Sequence, residues 1–123
     1  MFKISRSLID SIILAAKSSY PNEFAALLGS TTETELVDEF IAINSIKGAT
    51  SVLIKQHLIP ADISIVGTVH SHPSFHAFPS DADKKLFSQT GSFNLIIGHP
   101  YNESTINAFN EKGEKISFKT VDL

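Results

Sequence analysis

One run of the chain, Ile63-Ser64-Ile65-Val66-Gly67-Thr68-Val69-His70-Ser71, is rich in β-branched side chains and leads straight into a stretch bounded by prolines, Pro73 to Pro79. β-Branched residues suit pleated, half-buried backbone, so Ile63 to Ser71 reads as a strand. Proline has no N–H to give to a ladder, so Pro73 to Pro79 must be a loop. Ser80 then starts a helix over Asp81 to Gln89. Ser80-x-x-Asp83 is similar to a capping box, with Asp standing in for Glu or Gln, and Thr90-Gly91 stops the helix. A strand, a sharp loop and a capped helix in this order commit the chain to mixed α/β structure.

The remaining segments extend that pattern. Ser7 to Ser18 reads as a helix, with Leu8, Ile12, Leu14, Ala15 and Ala16 forming a partly helical apolar face and Ser5 or Ser7 available as its cap. Tyr20-Pro21-Asn22 breaks it. Glu23 to Leu28 is a short apolar run ending at Gly29 and fits one buried strand. Glu35 to Asn44 reads as a second strand, Val52-Leu53-Ile54 as a short one, and Phe93 to Ile97 as a buried one. Ser104 to Phe109 and Lys115 to Val121 read as strands joined through Asn110-Glu111-Lys112-Gly113. No internal repeat, low-complexity run or linker divides residues 1–123, so a single domain is expected.

Composition narrows the function classes. At 123 residues, with 42% hydrophobic and 19% charged residues, the chain can bury a core without staples. A net charge of −3 argues against a domain built to grip nucleic acid or an anionic membrane. There is no cysteine, which excludes disulfides, thiolate nucleophiles and Cys-ligated zinc. The apolar runs fall well short of the ~20 residues of a membrane span. The first six residues lack the apolar core of a signal peptide, so an intracellular, cytoplasmic protein is expected.

The chemistry concentrates between residues 70 and 83. Alternate residues of a strand share a face, so His70 and His72 project to the same side. Two imidazoles so spaced can grip one cation. Asp83, in the first turn of the following helix, can reach back as a third ligand. Two His and one carboxylate leave a coordination position open, as catalytic zinc requires, and imidazole disfavours Mg²⁺ and Ca²⁺; iron also fits such a set. Ser80 is a candidate hydrogen-bond donor to an oxyanion. A general base is also needed, and spacing does not choose it from the thirteen acids. Blander readings exist for each feature. His-x-His on a strand can be incidental, and Ser80 with Asp83 can be only a helix cap. Asp83 can serve both ends, because a carboxylate at a helix N-terminus is favoured anyway.

The joint spacing His70-x-His72-x7-Ser80-x2-Asp83 resembles the H-x-H-x7-S-x2-D signature of the JAMM metalloproteases, the MPN+ or Mov34/PAD1 family. Gly67-Thr68-Val69-His70-Ser71-His72-Pro73 is similar to that family as well. Glu23, in Pro21-Asn22-Glu23-Phe24-Ala25-Ala26-Leu27-Leu28-Gly29, fits the family's upstream glutamate. The resemblance departs from the pattern at Ala26, where many relatives carry Gly, and at Gly29, which lies one position early.

The resemblance implies an α/β domain with a central mixed sheet flanked by helices, the MPN/JAB fold, similar to cytidine deaminases. It implies Zn²⁺ bound by His70, His72 and Asp83. Glu23 would act as the base that passes a proton to the leaving amine, and Ser80 would stabilise the oxyanion. The implied activity is hydrolysis of the isopeptide or peptide bond after the C-terminal Gly-Gly tail of a ubiquitin-like modifier. The compact chain looks most like archaeal or bacterial members, whose partners are small ubiquitin-like modifiers or sulfur-carrier proteins and their conjugates. The alternative from the same family is a non-catalytic scaffold or ubiquitin-like-protein binding module. A nucleoside deaminase would need Cys ligands, and no H-E-x-x-H string is present to support a zincin.

Overall fold

The protein is described by a computed structural model covering residues 1–32, 35–42 and 62–123. The expected strand Val52-Leu53-Ile54 and the last two residues of the expected strand Glu35 to Asn44 lie outside the described residues. The chain opens with a strand that periodicity does not reveal, β1 (Phe2–Ser5). It passes without a loop into α1 (Arg6–Ser19). The Ser5 hydroxyl accepts the Leu8 N–H at 3.2 Å, so Ser5 rather than Ser7 caps the helix. Leu8, Ile9, Ile12 and Ala16 form its buried stripe. Leu14, expected on that stripe, is 66% exposed and belongs to the solvent side.

The next elements are β2 (Ala25–Ser30), β3 (Leu36–Val37), β4 (Glu39–Ala42) and β5 (Ser64–His72). They are followed by α2 (Asp81–Thr90) and β6 (Asn94–Gly98), then β7 (Ile106–Phe109), β8 (Lys115–Ile116) and β9 (Phe118–Val121). The expected strand over Ser104 and Thr105 is instead a 3₁₀ turn, Glu103–Thr105. There the Thr105 hydroxyl bonds the Asn102 carbonyl and accepts its N–H, a local arrangement that competes with ladder formation.

Two sheets result. The larger has six strands in the order β4-β2-β5-β6-β7-β8, and the smaller is β3-β1-β9. β5 lies between antiparallel β2 and parallel β6. In the small sheet both partners of β1 run parallel to it. Two segments read as single strands in the sequence divide between the sheets. Within Glu35 to Asn44 the break falls at Asp38, whose carboxylate accepts the Thr31 N–H at 3.0 Å and the Thr31 hydroxyl at 2.6 Å. Within Lys115 to Val121 it falls between β8 and β9.

The larger sheet is covered on both faces. On one face α1 contributes Leu8, Ile9, Ile12 and Ala16 to a core with Val69, Leu95 and Ile97. On the other, α2 contributes Phe87 to a smaller cluster with Ile96, Phe109 and Ala77. Strand parity assigns the faces: Leu95 and Ile97 point one way, and Ile96 points the other. His70 is the register partner of Ile96, so it faces α2.

Candidate metal centre

β5 delivers His70 and His72 to the α2 side of the sheet, as their two-residue spacing requires. α2 starts below them, and its first turn delivers Asp83. The two Nε2 atoms are 3.2 Å apart. His70 Nε2 lies 3.2 Å from Asp83 Oδ1, and His72 Nε2 lies 3.4 Å from Asp83 Oδ2. One donor atom from each of the three falls within 4.8 Å of the others. Among the described residues, this is the group of His and acidic side chains that could hold a metal ion.

Two of the three donors are held from behind by hydrogen bonds. His72 Nδ1 lies 2.8 Å from the His76 carbonyl oxygen. A carbonyl can only accept, so Nδ1 carries a proton; once Nε2 gives up the proton it shares with Asp83, its lone pair is free for a metal. His70 is 5% exposed, with its ring 6.3 Å from that of Phe87. Its Nδ1 has no hydrogen-bond partner among the described residues. Asp83 closes a capping box: its N–H goes to the Ser80 hydroxyl at 3.1 Å, and its Oδ2 accepts the Ser80 N–H at 2.9 Å. The capping group and the candidate ligand are therefore one carboxylate.

The loop after β5 is pinned to the sheet. The His99 N–H donates to the Ser74 carbonyl at 2.9 Å, and Asn107 Nδ2 donates to the Ala77 carbonyl at 3.0 Å. Ala77 is buried. The crossing is close at Gly98, where a Cβ would sit 3.1 Å from the carbonyl oxygens of Ser74 and Phe75 and would need them to give by a few tenths of an ångström. The fixed loop places the His76 carbonyl against His72.

The electrostatics agree with three donors crowded around one point. Burial opposes ionisation of Asp83, but hydrogen bonds from His70 and His72 outweigh it and hold the carboxyl well below its usual range. The Asp83 hydrogen bond raises the His72 pKa above its ordinary 6.5 against the effect of burial, with the His76 carbonyl and the Glu23 charge adding to the rise. A cation between the donors would satisfy the same negative charge.

Of the five residues singled out in the sequence, His70, His72 and Asp83 converge. Ser80 stands at the N-cap; its oxygen accepts the Asp83 N–H, which leaves its hydroxyl hydrogen free to donate outward. Glu23 is solvent-exposed just ahead of β2, near enough for its charge to act on His72. Phe75 and Phe78 are 86% and 47% exposed and stand on the outer side of the loop after β5. The His76 ring is exposed beside Phe78, and the exposed His99 ring packs against Tyr20 and Tyr101.

Three contributors escaped the sequence reading. The His76 carbonyl has no side-chain signature. Ser71 is fully buried between the two histidines, and its only sequence signal is a hydroxyl inside a strand. Asn94 is also fully buried; its Oδ1 accepts the Thr68 N–H and hydroxyl at 3.0 and 2.9 Å, and its Nδ2 donates to the Gly91 carbonyl at 2.9 Å. It ties the end of α2 to β5, and an amide opening an apolar strand is the feature that could have revealed it.

Comparison with known proteins places this geometry. Residues 5–112 match the model of the prokaryotic homologues of the JAB domain. A Haloferax volcanii protein named a probable metalloprotease is 30% identical over 128 residues, covering 97% of this chain and 79% of the relative. A JAB1/MPN domain protein from Archaeoglobus fulgidus superposes with a TM-score of 0.81 at 36% identity, over 98% of this chain and 100% of the other. A JAMM structure described as a metalloprotease-like zinc site in the proteasome and signalosome superposes with a TM-score of 0.77 at 35% identity, over 99% of each chain. With its motif, its fold and nearly its whole length matched, the chain belongs to the prokaryotic homologues of the JAB domain, as a minimal member of the JAMM/MPN family.

Proposed function

We propose that this chain is a zinc-dependent metallopeptidase that cuts the isopeptide or peptide bond after the Gly-Gly tail of a ubiquitin-like modifier or sulfur-carrier protein. The observation that carries the reading is the convergence of His70, His72 and Asp83 donor atoms within 4.8 Å, with the Glu23 charge acting on His72. The named relative and the JAMM neighbour support a metalloprotease, and the family resemblance supports the substrate class.

The residues fit zinc. Two imidazole nitrogens and one carboxylate oxygen make a three-protein-ligand set, and the His72 tautomer is already fixed. When bound, zinc supplies the Lewis acidity that makes water a nucleophile near neutral pH. Glu23 takes the proton of the attacking water and delivers it to the leaving amine nitrogen. The Ser80 hydroxyl, its oxygen already bonded to the Asp83 N–H, donates its free hydrogen to the carbonyl oxygen as charge develops there. Glycines at the end of the tail give the substrate backbone its closest approach to the centre. The proposal treats residues 1–123 as one catalytic domain and takes the cytoplasm as its compartment; no described helix is long and apolar enough to cross a membrane.

The test uses zinc-loaded protein and ubiquitin-like proteins fused through Gly-Gly to a reporter amine. Cleavage that a chelator abolishes and Zn²⁺ restores is expected. Bound zinc with no cleavage of any fusion would overturn the peptidase and leave a binding module.

A further inference from the structure

We infer that Ser71 is a positioning residue that sets the place of Glu23 relative to the metal centre, an inference that rests on Glu23 being the general base. Ser71 sits between the two histidine ligands, and strand parity turns it to the opposite face of β5. It is fully buried. Its N–H donates to the Phe24 carbonyl at 2.9 Å, and its hydroxyl oxygen accepts the Phe24 N–H at 2.7 Å. One residue of β5 thus holds both main-chain groups of the residue that follows Glu23.

This pairing departs from a regular ladder. β2 and β5 are antiparallel, with Ala25 opposite His70, so Phe24 falls opposite Ser71. In a regular hydrogen-bonded pair the Phe24 N–H would go to the Ser71 carbonyl. Here the side-chain oxygen takes the place of that carbonyl, and β2 begins only at Ala25. The chain leaves the ladder line where Glu23 is attached. A buried serine therefore connects the base to the strand that carries two ligands, across 47 positions of sequence. Alanine at position 71 removes the acceptor while His70 and His72 keep their pairing with β6.

The inference predicts that Ser71→Ala lowers kcat roughly 100-fold, as a misplacement of about 1 Å does, with KM and zinc affinity within about twofold of wild type. Ser71→Thr, which keeps the oxygen, restores most of kcat. Two readouts do not need turnover. In wild type the Phe24 amide is protected from hydrogen exchange, and Ser71→Ala removes that protection while the amides of β6 keep theirs. Zinc loading shifts the Glu23 carboxyl ¹³C resonance in wild type and shifts it less in Ser71→Ala. An unprotected Phe24 amide in wild type, a Ser71→Ala enzyme with unchanged kcat, or a loss that follows zinc occupancy alone would each overturn the inference. If wild type cleaves no Gly-Gly fusion, the peptidase reading has failed, and the carboxyl resonance still decides positioning: equal zinc shifts in both proteins overturn it, and unequal shifts support it.

Discussion

The two faces of the larger sheet carry different loads. Toward α1, β5 and β6 present Val69, Leu95 and Ile97 to a core that also contains Leu8, Ile9 and Ile12, all at most 4% exposed. Toward α2, the same strands present His70, His72, Asn94 and Ile96, and the apolar cluster shrinks to Ala77, Phe87, Ile96 and Phe109. A period of two lets one strand satisfy both demands residue by residue. The difference shows where the chain can bear the desolvation of three ligand groups: on the thinner face, while the thicker one holds the sheet together. Ser71 is the exception that joins the faces. It points away from the centre yet anchors the residue beside Glu23.

That division can be broken in four ways. Glu23→Gln should lower turnover by roughly 10²- to 10⁴-fold, the usual worth of a general base, with zinc retained at one per chain. Metal analysis beside single-turnover assays would check it, and full activity would sink the role of Glu23. Leu95→Ala, on the α1 face, should cost about 2–5 kcal/mol of stability by opening a cavity in a fully buried site. Its folded fraction should bind zinc as wild type does, so a weakened zinc affinity in calorimetry would mean that the faces are not separable.

Ser80→Ala should remove about 1 kcal/mol of capping, seen as a lower urea midpoint of the metal-free protein. It should also slow turnover beyond that loss, because the proposed oxyanion donor goes with it. An effect on stability alone would reduce Ser80 to a cap. The smallest effect is a pH dependence of metal-free stability. The folded-state pKa of Asp83 is depressed from 3.8, so its contribution is present above that value and is lost as pH falls through the folded one. The pKa of His72 is raised above 6.5, so its contribution is complete below 6.5 and fades as pH climbs through the folded value. The triad should therefore favour the metal-free fold most between about pH 4 and 6.5. Urea titrations of wild type and Asp83→Asn carried below about pH 4 and above about pH 6.5 would test it; equal pH profiles for the two proteins would remove the triad as the cause.

Much of the centre was legible because its rules are local. The same-side projection of His70 and His72 follows from strand parity, and the Ser80–Asp83 cap follows from helix geometry. Both were recovered at the residues expected. The family resemblance alone points to Glu23 as the base, which no local rule selects from thirteen acids. The errors were non-local. β1 is too short at four residues to show a period, and it forms because β3 and β9 arrive on either side of it from distant parts of the chain. Glu35 to Asn44 and Lys115 to Val121 each looked continuous, yet each splits between two sheets.

Sequence by itself determined which side chains could ligate a metal, that two of them share a face, and that a capped helix follows them, because backbone sterics act over a few neighbouring residues. Only the tertiary structure decided that α2 folds back to bring Asp83 within 3.2 Å of His70, that the His76 carbonyl fixes the His72 tautomer, and that Ser71 reaches across to Phe24. The physical reason is that a hydrogen bond between residues 47 positions apart depends on how the whole sheet is assembled, which no short window of sequence encodes.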